Sequence, residues 1–162
     1  MEYARTAIAL GSNLGDSRAI LEAALETIAQ TPGITLERRS SWYETVPAGP
    51  PQRDYINGCA LLRVSLPPQE LLETLLEIEA KFGRVRQERW GARTLDLDLL
   101  LFEDLIVDTP ALQLPHPRLR ERAFVLMPLA EIAPDWSEPA CGETIRTLLQ
   151  GVDCSGVRRL SG

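Results

Sequence analysis

T-L-D-L-D-L-L-L-F, from Thr94 to Phe102, reads as a β-strand with leucine at every second position. Side chains alternate between the two faces of a strand, so Leu95, Leu97, Leu99 and Leu101 share one face and Asp96 and Asp98 the other. Leu100 and Phe102 continue the aspartate face as apolar residues, which implies a strand buried on both sides. Carboxylates are costly in such a place unless they are paired or coordinate something. At about 3.3 Å of rise per residue, the two aspartate Cα atoms stand roughly 7 Å apart. That span suits two carboxylates gripping one or two hard cations together with phosphate oxygens. An isolated D-x-D more often marks the wet face of an edge strand, but Arg93, three residues before Asp96, favours the metal reading. Its planar fork matches phosphate oxygens, and a polyphosphate with Mg²⁺ needs cations beside a carboxylate pair.

Working outward from this strand, Pro67-Pro68 opens a helix whose apolar stripe is Leu71, Leu72, Leu75, Ile78 and Phe82 and whose end is Gly83. Between that helix and the strand lies a loop carrying Arg84, Arg86, Arg89 and Arg93. Upstream, Asp54 to Leu66 is a strand and Ile34 to Val46 is extended. P-A-G-P-P-Q-R, Pro47 to Arg53, separates them as an irregular loop, because proline cannot donate to a sheet ladder. An earlier helix begins at a cap on Asp16 or Ser17, repeats Leu21, Ala24, Leu25 and Ile28 at helical spacing, and stops at Pro32-Gly33. The chain opens with a buried strand, Thr6 to Leu10, that runs into the turn-prone Gly11 to Asp16. The order is βαββαβ, followed by an irregular extension with short helical pieces near Arg118–Arg122, Val125–Ile132 and Glu143–Leu149. This is the α+β, ferredoxin-like arrangement, an antiparallel sheet with helices packed on it.

The chain has 162 residues, a length that fits one domain, and its 44% hydrophobic and 25% charged residues are ordinary globular usage. No apolar run approaches the roughly 20 residues of a bilayer span, and the opening M-E-Y-A-R-T is unlike a signal peptide, so a cytoplasmic protein is expected. Cys59, Cys141 and Cys154 show neither a disulfide framework nor metal spacing and read as inert thiols. A net charge of −6 argues against a general nucleic-acid binder. All but one of the 17 basic residues are arginine, the exception being Lys81, and a second cluster forms at Arg118, Arg120 and Arg122. An anion pocket inside an acidic protein fits this distribution, although a charge run alone is more often solvated surface. The Gly11–Gly15 loop lacks the G-K-[ST] ending of a P-loop and reads as a tight strand-to-helix turn. Tyr55 and Asn57 alternate on one strand, so the ring and the amide point the same way.

R-V-R-Q-E-R-W-G-A-R-T-L-D-L-D-L-L-L (Arg84 to Leu101) and P-H-P-R-L-R-E-R-A-F-V-L-M-P-L (Pro115 to Leu129) resemble the hydroxymethyldihydropterin pyrophosphokinase family of folate biosynthesis. G-S-N-L-G, the S-S-W-Y-E-T of Ser40 to Thr45 and the D-Y-I-N of Asp54 to Asn57 fall in the family's order, so the resemblance covers the whole chain. It implies that ATP donates its β,γ-pyrophosphoryl group to the hydroxymethyl oxygen of 6-hydroxymethyl-7,8-dihydropterin, releasing AMP. It also implies that Tyr55 and Phe124 sandwich the pterin while Asn57 and the backbone around Thr45, Val46 and Ala48 bond its edge. Asp96 and Asp98 would carry two Mg²⁺ ions and, with Arg84 and Arg93, form the catalytic set. Arg84, Arg93, His116 and Arg122 would contact the ATP phosphates, with Glu79 near the nucleotide. Arg89 and Trp90 would ride on a loop, bracketed by Gly83 and Gly91, that closes over the site. The resemblance leaves the general base open, and Asp98 is the candidate offered for it.

Two positions depart from the family pattern. Ala92 stands where a proline is usual, which loosens the entry to Arg93. Gln87 and Glu88 occupy a stretch where some members carry a lysine. The partners expected are small molecules, ATP and a reduced pterin, acting on a monomer without nucleic acid or membrane. The competing readings are a Mg²⁺-dependent nucleotidyltransferase or cyclase palm, and a non-catalytic ligand-binding regulatory module on the same superfold.

Overall fold

The computed structural model describes residues 3–13, 16–45, 55–83 and 95–160. The elements run β1 (Ala4–Ser12), α1 (Ser17–Ala29), β2 (Ile34–Arg39), β3 (Tyr43–Thr45), β4 (Tyr55–Val64), α2 (Pro68–Gly83) and β5 (Asp96–Phe102). They continue with β6 (Val107–Asp108), β7 (Gln113–Leu114), a 3-10 turn at Leu119–Glu121, α3 (Ala123–Ile132), α4 (Ile145–Gln150) and β8 (Val157–Arg159). Local chemistry accounts for the boundaries. Asp16 caps α1 by accepting from the Ala19 N–H at 3.3 Å. After α1 the chain turns through Gly33, whose φ of +87° is a conformation glycine adopts without strain. The Gly33 carbonyl accepts from the Ser65 N–H at 2.9 Å, tying this turn to the end of β4.

β1 lies between β5 and β4, antiparallel to both, and the far edge of β4 is shared by β2 and β3. β2 pairs with Ala60–Val64 and β3 with Tyr55–Asn57, and β8 adds to the outer edge of β3. The succession β5-β1-β4-β2 is the strand order of a ferredoxin-like sheet, as the element order implied. The extended stretch expected from Ile34 is interrupted at Ser40–Trp42. There the Ser40 N–H donates to the Cys59 carbonyl at 2.9 Å, and the Ser40 hydroxyl accepts from the Cys59 N–H at 2.9 Å. The Trp42 ring crosses Gly58 so closely that a Cβ at 58 would meet two of its carbons at 2.5 Å.

The C-terminal extension is more ordered than its sequence suggested. It adds β8 to the main sheet, forms the β6–β7 ladder and lays α3 and α4 on the sheet face opposite α1 and α2. Two cores result. Ile8, Leu10, Leu62, Leu97 and Leu99 pack against Leu21, Leu25, Leu71 and Leu75 of α1 and α2. Ala7, Ala9, Cys59 and Leu61 pack against Val125, Leu126, Leu129 and Ile145 of α3 and α4. α3 is apolar nearly all round, with Ala123, Val125, Leu126, Pro128, Leu129 and Ile132 buried, so it shows little of the one-sided periodicity that marks a surface helix.

The leucine alternation of β5 breaks at a bulge. The pairing with β1 steps from Ala7↔Leu101 to Ile8↔Leu99, which leaves Leu100 as the extra residue. Leu95, Leu97 and Leu99 face α1 and α2 as expected, but Leu101 turns with Leu100 into the α3 core and Phe102 returns to the α1–α2 side. Leu101 therefore does not share a face with Leu97, nor Phe102 with the aspartates. Asp96 and Asp98 precede the bulge and keep their common face. Among the described residues, no helix is long and apolar enough to cross a membrane.

Candidate active site

Antiparallel ladders place partner residues in rows across the sheet. One row reads Asp96, Gly11, Asn57, Tyr43. The next, toward the middle of the strands, reads Asp98, Ala9, Cys59, and beyond the first row Tyr55 sits opposite Thr45. Ala9 and Cys59 belong to the α3-side core, so all of these side chains lie on that face. Both aspartates are half-buried. Their neighbours on β1 are a glycine and an alanine, so no large side chain of β1 stands between the carboxylates and β4.

Gly11 has a second consequence. A Cβ there would stand 2.7 Å from Nδ2 of Asn57, so the missing side chain lets the Asn57 amide lean across β1 toward Asp96. Asn57 is buried, and among the described residues its Oδ1 has no hydrogen-bond partner; the Thr45 hydroxyl is likewise buried without one there. Buried polar atoms are paired in the large majority of cases. Two such polar atoms on the face that carries the aspartates make this face a candidate for a polar ligand. The turn reading of Gly11 needs correction: β1 extends through Ser12, so Gly11 is a strand residue. A glycine inside a strand pattern commonly marks a close approach, and that was the available signal.

The outer edge of β5 is held from two sides. The Leu97 N–H, between the two aspartates, donates to Oε2 of Glu79 on α2 at 2.8 Å. The Leu100 carbonyl accepts from the His116 N–H at 3.0 Å. Nδ1 of His116 accepts from the Arg118 N–H at 3.2 Å, which leaves the ring proton on Nε2. Burial pushes the His116 pKa down, and the charges of Arg122 and Arg118 add to this against the opposing pull of Asp98. The imidazole is therefore a neutral donor placed among Asp98, Arg122 and Arg118.

The start of α3 covers the sheet face. The Val125 carbonyl lies 3.6 Å from the Cys59 sulfur, directly over the second row. Phe124 is the preceding residue, and the Arg122 guanidinium lies 5.5 Å from its ring centroid. Cys59 is buried under this cover, and burial, with the charges of Asp98 and Glu131, raises its pKa well above the usual range, which disfavours the nucleophilic thiolate.

The structure thus brings Asp96, Asp98, Asn57, Tyr55 and Thr45 to one sheet face and sets Phe124, Arg122 and His116 around it, with Glu79 at the β5 edge. Val46, Ala48, Arg84, Arg89, Trp90 and Arg93 lie outside the described residues. Sequence reasoning passed over Gly11, Tyr43 and Glu131. The last accepts from the Tyr43 hydroxyl at 2.8 Å, a pairing of positions 88 apart that no local spacing reveals. Among the described residues, no group of three or more His, Cys, Asp or Glu side chains is assembled for a metal. Two half-buried carboxylates on one strand face fit Mg²⁺, which keeps several waters and usually takes only one or two protein carboxylates along with substrate phosphates.

The chain matches the family model described as 7,8-dihydro-6-hydroxymethylpterin-pyrophosphokinase (HPPK) over residues 7–134. It is 54% identical over 150 residues to the 2-amino-4-hydroxy-6-hydroxymethyldihydropteridine pyrophosphokinase of Synechocystis sp., covering 93% of this chain and 77% of that protein. The protein of the same name from Methylorubrum extorquens is 47% identical over 157 residues, covering 96% and 98%. Among solved structures, an HPPK-DHPS in complex with substrates superposes with a TM-score of 0.78 at 12% identity, covering 100% of this chain and 47% of that one. The wild-type HPPK-DHPS of Plasmodium falciparum gives 0.72 at 16%, covering 93% and 41%. The chain spans about half the length of these solved chains or less, and at such identities the likeness concerns the fold. A family model matched over most of the chain, together with relatives near half identity over almost all of it, places this chain in the 7,8-dihydro-6-hydroxymethylpterin-pyrophosphokinase family.

Proposed function

We propose that the chain transfers the β,γ-diphosphate of ATP to the hydroxymethyl oxygen of 6-hydroxymethyl-7,8-dihydropterin, giving AMP and the pterin diphosphate in folate biosynthesis. The observation that carries this reading is the row Asp96, Gly11, Asn57, in which a carboxylate and a buried amide oxygen with no partner among the described residues share one face on either side of a glycine. A pterin edge offers N–H donors for that amide oxygen. Tyr55 and Phe124 would stack on its two ring faces, and Thr45, Val46 and Ala48 would bond its rim.

Asp96 and Asp98 would hold two Mg²⁺ ions, which when bound neutralise the polyphosphate and polarise the phosphorus under attack. The chain's own groups then position the reactants. The Nε2–H of His116 and the guanidinium of Arg122 would bond phosphate oxygens, joined by Arg84 and Arg93. Glu79, which accepts from the β5 backbone between the two aspartates, would stand near the nucleotide. The pterin hydroxymethyl oxygen forms a bond to the β-phosphorus, the bond from that phosphorus to the oxygen bridging to the α-phosphate breaks, AMP leaves, and Asp98 takes the hydroxyl proton. In-line transfer of this kind relies on orientation and charge placement, so it needs no activated serine or cysteine. Arg89 and Trp90 would close over the bound substrates. The unit acting is one domain, residues 1–162, as a monomer.

The test mixes the purified chain with Mg²⁺, ATP and 6-hydroxymethyl-7,8-dihydropterin and follows nucleotide products by chromatography. AMP should form only when the pterin is present. ATP breakdown independent of pterin, or release of pyrophosphate with AMP transferred to the acceptor, overturns the assignment.

A further inference from the structure

Glu131 stands in the last turn of α3, where its charge faces the negative end of the helix dipole and is unfavourable unless other groups hold it. It collects several donors. The Ser41 N–H lies 3.0 and 3.2 Å from its two oxygens, the Ser41 hydroxyl donates at 3.0 Å and the Tyr43 hydroxyl at 2.8 Å. Arg159 of β8 approaches to 3.6 Å and also donates from Nε to the Ser41 hydroxyl at 3.0 Å. Every one of these donors sits on β3, on the segment leading into it, or on β8. One carboxylate therefore ties the end of α3 to the β3–β8 edge of the sheet. Burial raises the Tyr43 pKa to about 12, with Glu131 adding to the shift, so the phenol stays a donor. Burial opposes the charge on Glu131, but the bonds from Tyr43 and Ser41 hold its pKa below the ordinary carboxylate value.

The two things this contact joins are the two walls of the acceptor slot. Tyr43 is the ladder partner of Asn57, and two residues on, Thr45 is the partner of Tyr55. On the helix, Phe124 precedes Glu131 by two turns, on the same face and about 10.5 Å away along the axis. Fixing Glu131 against Tyr43 thus sets where Phe124 stands relative to Tyr55, Thr45 and Asn57. Neither residue belongs to the phosphate side, where Asp96, Asp98, His116 and Arg122 lie.

Building on the pterin reading of the site, we propose that Tyr43 and Glu131 are a positioning pair that sets the affinity of the acceptor slot without touching the reacting atoms. Steady-state kinetics on the full chain tests this with Tyr43→Phe, Glu131→Leu and Glu131→Gln. Loss of a hydrogen bond to a charged acceptor predicts a rise of about ten- to a hundredfold in KM for the pterin in Tyr43→Phe and Glu131→Leu, with kcat and KM for ATP within about twofold. Glu131→Gln keeps an amide oxygen for Tyr43 and Ser41 and should restore most of the pterin affinity. The double variant Tyr43→Phe/Glu131→Leu should be no weaker than Glu131→Leu alone, because both remove one interaction. Tyr43→Phe removes a single oxygen and keeps the buried ring, so it reports on the pair even where Glu131→Leu unfolds. A parallel rise in both KM values, a fall in kcat at unchanged pterin KM, or wild-type behaviour of Tyr43→Phe overturns the proposal. A wild-type chain that turns over no pterin overturns the reading of the site beneath it.

Discussion

Replacing Gly11 with alanine would place a Cβ 2.7 Å from Nδ2 of Asn57 and 3.8 Å from its Cγ and from the Ile56 carbonyl oxygen. The backbone at Gly11 is not in the left-handed region, so alanine introduces no conformational strain of its own. The clash falls on the far end of one side chain. Relief by rotation moves Asn57 away from a staggered rotamer at about 0.5–1.5 kcal/mol. It also aims the amide away from the ligand, and an unmade hydrogen bond in a buried site costs about 1–3 kcal/mol. Together these give about 2–4 kcal/mol against pterin binding, or on the order of 30- to several-hundred-fold in dissociation constant at 1.4 kcal/mol per decade. The fold should tolerate the change, because alanine in a strand interior gains about 0.5–1 kcal/mol over glycine, which offsets the local crowding. Pterin affinity would be read from the quenching of pterin fluorescence, ATP affinity from a competing fluorescent nucleotide, and stability from thermal unfolding. A pterin dissociation constant within twofold of wild type, or equal losses for pterin and ATP, would refute the role given to Asn57.

Asp96→Asn and Asp98→Asn should each lower kcat/KM by at least about a hundredfold while leaving the far-ultraviolet circular dichroism unchanged, since each removes half of the metal-binding charge. Loss of Mg²⁺ binding together with turnover in Asp98→Asn would remove support for a separate proton-accepting role. Chelation of divalent cations should stop AMP release, and added Mg²⁺ should restore it. Gly58→Ala sets a Cβ 2.5 Å from a Trp42 ring that is itself buried, so neither partner can yield. The expected cost is about 2–3 kcal/mol, or roughly 4–12 °C in melting temperature, and an unchanged melt would contradict the packing described. Arg39 holds the pKa of Glu22 at about 2, against an opposing effect of burial and with help from Trp42. The folded value is depressed, so this stabilisation is present above about pH 4.5 and is lost as pH falls toward 2. The pair is substantially exposed, so its worth is at most about 1 kcal/mol. Glu22→Gln should therefore flatten the change in urea midpoint between pH 5 and pH 3.

What could be read from the sequence follows the range of the interactions involved. Asp16 and the Leu21–Ile28 stripe announced α1 because capping and helical periodicity are local, and the leucine stripe of α2 behaved the same way. The C-terminal extension was harder. α3 is buried over most of its surface, so its composition lacks the polar face that makes a helix periodic. β8 is three residues long and pairs with β3 more than a hundred positions away. Its strand character comes from its partner more than from its own residues. The bulge at Leu100 is invisible for a related reason. Leucine on both sides of the slip fits either face, so the pattern cannot register which core each one enters.

The site divides along the same line, with one difference that bears on function. Asp96 and Asp98 were legible because period-two alternation alone puts them on one face, and the bulge begins two residues too late to separate them. Asn57 could be named beside Tyr55, but nothing local says that its amide crosses to the carboxylates. That requires β1 to run between β4 and β5 and to carry a glycine at the crossing point. A chain that kept D-L-D and D-Y-I-N but bore any side chain at position 11 would retain the separate motifs while obstructing the path between them. Glu131 extends the point to support. Its place at the end of α3 looks unfavourable until Ser41 and Tyr43 are seen donating to it, and the residue that aligns the acceptor walls is thus the one whose sequence context argues against it. Groups that touch substrates leave a pattern in the chain, whereas groups that hold those side chains in register become visible only when the fold brings their partners together.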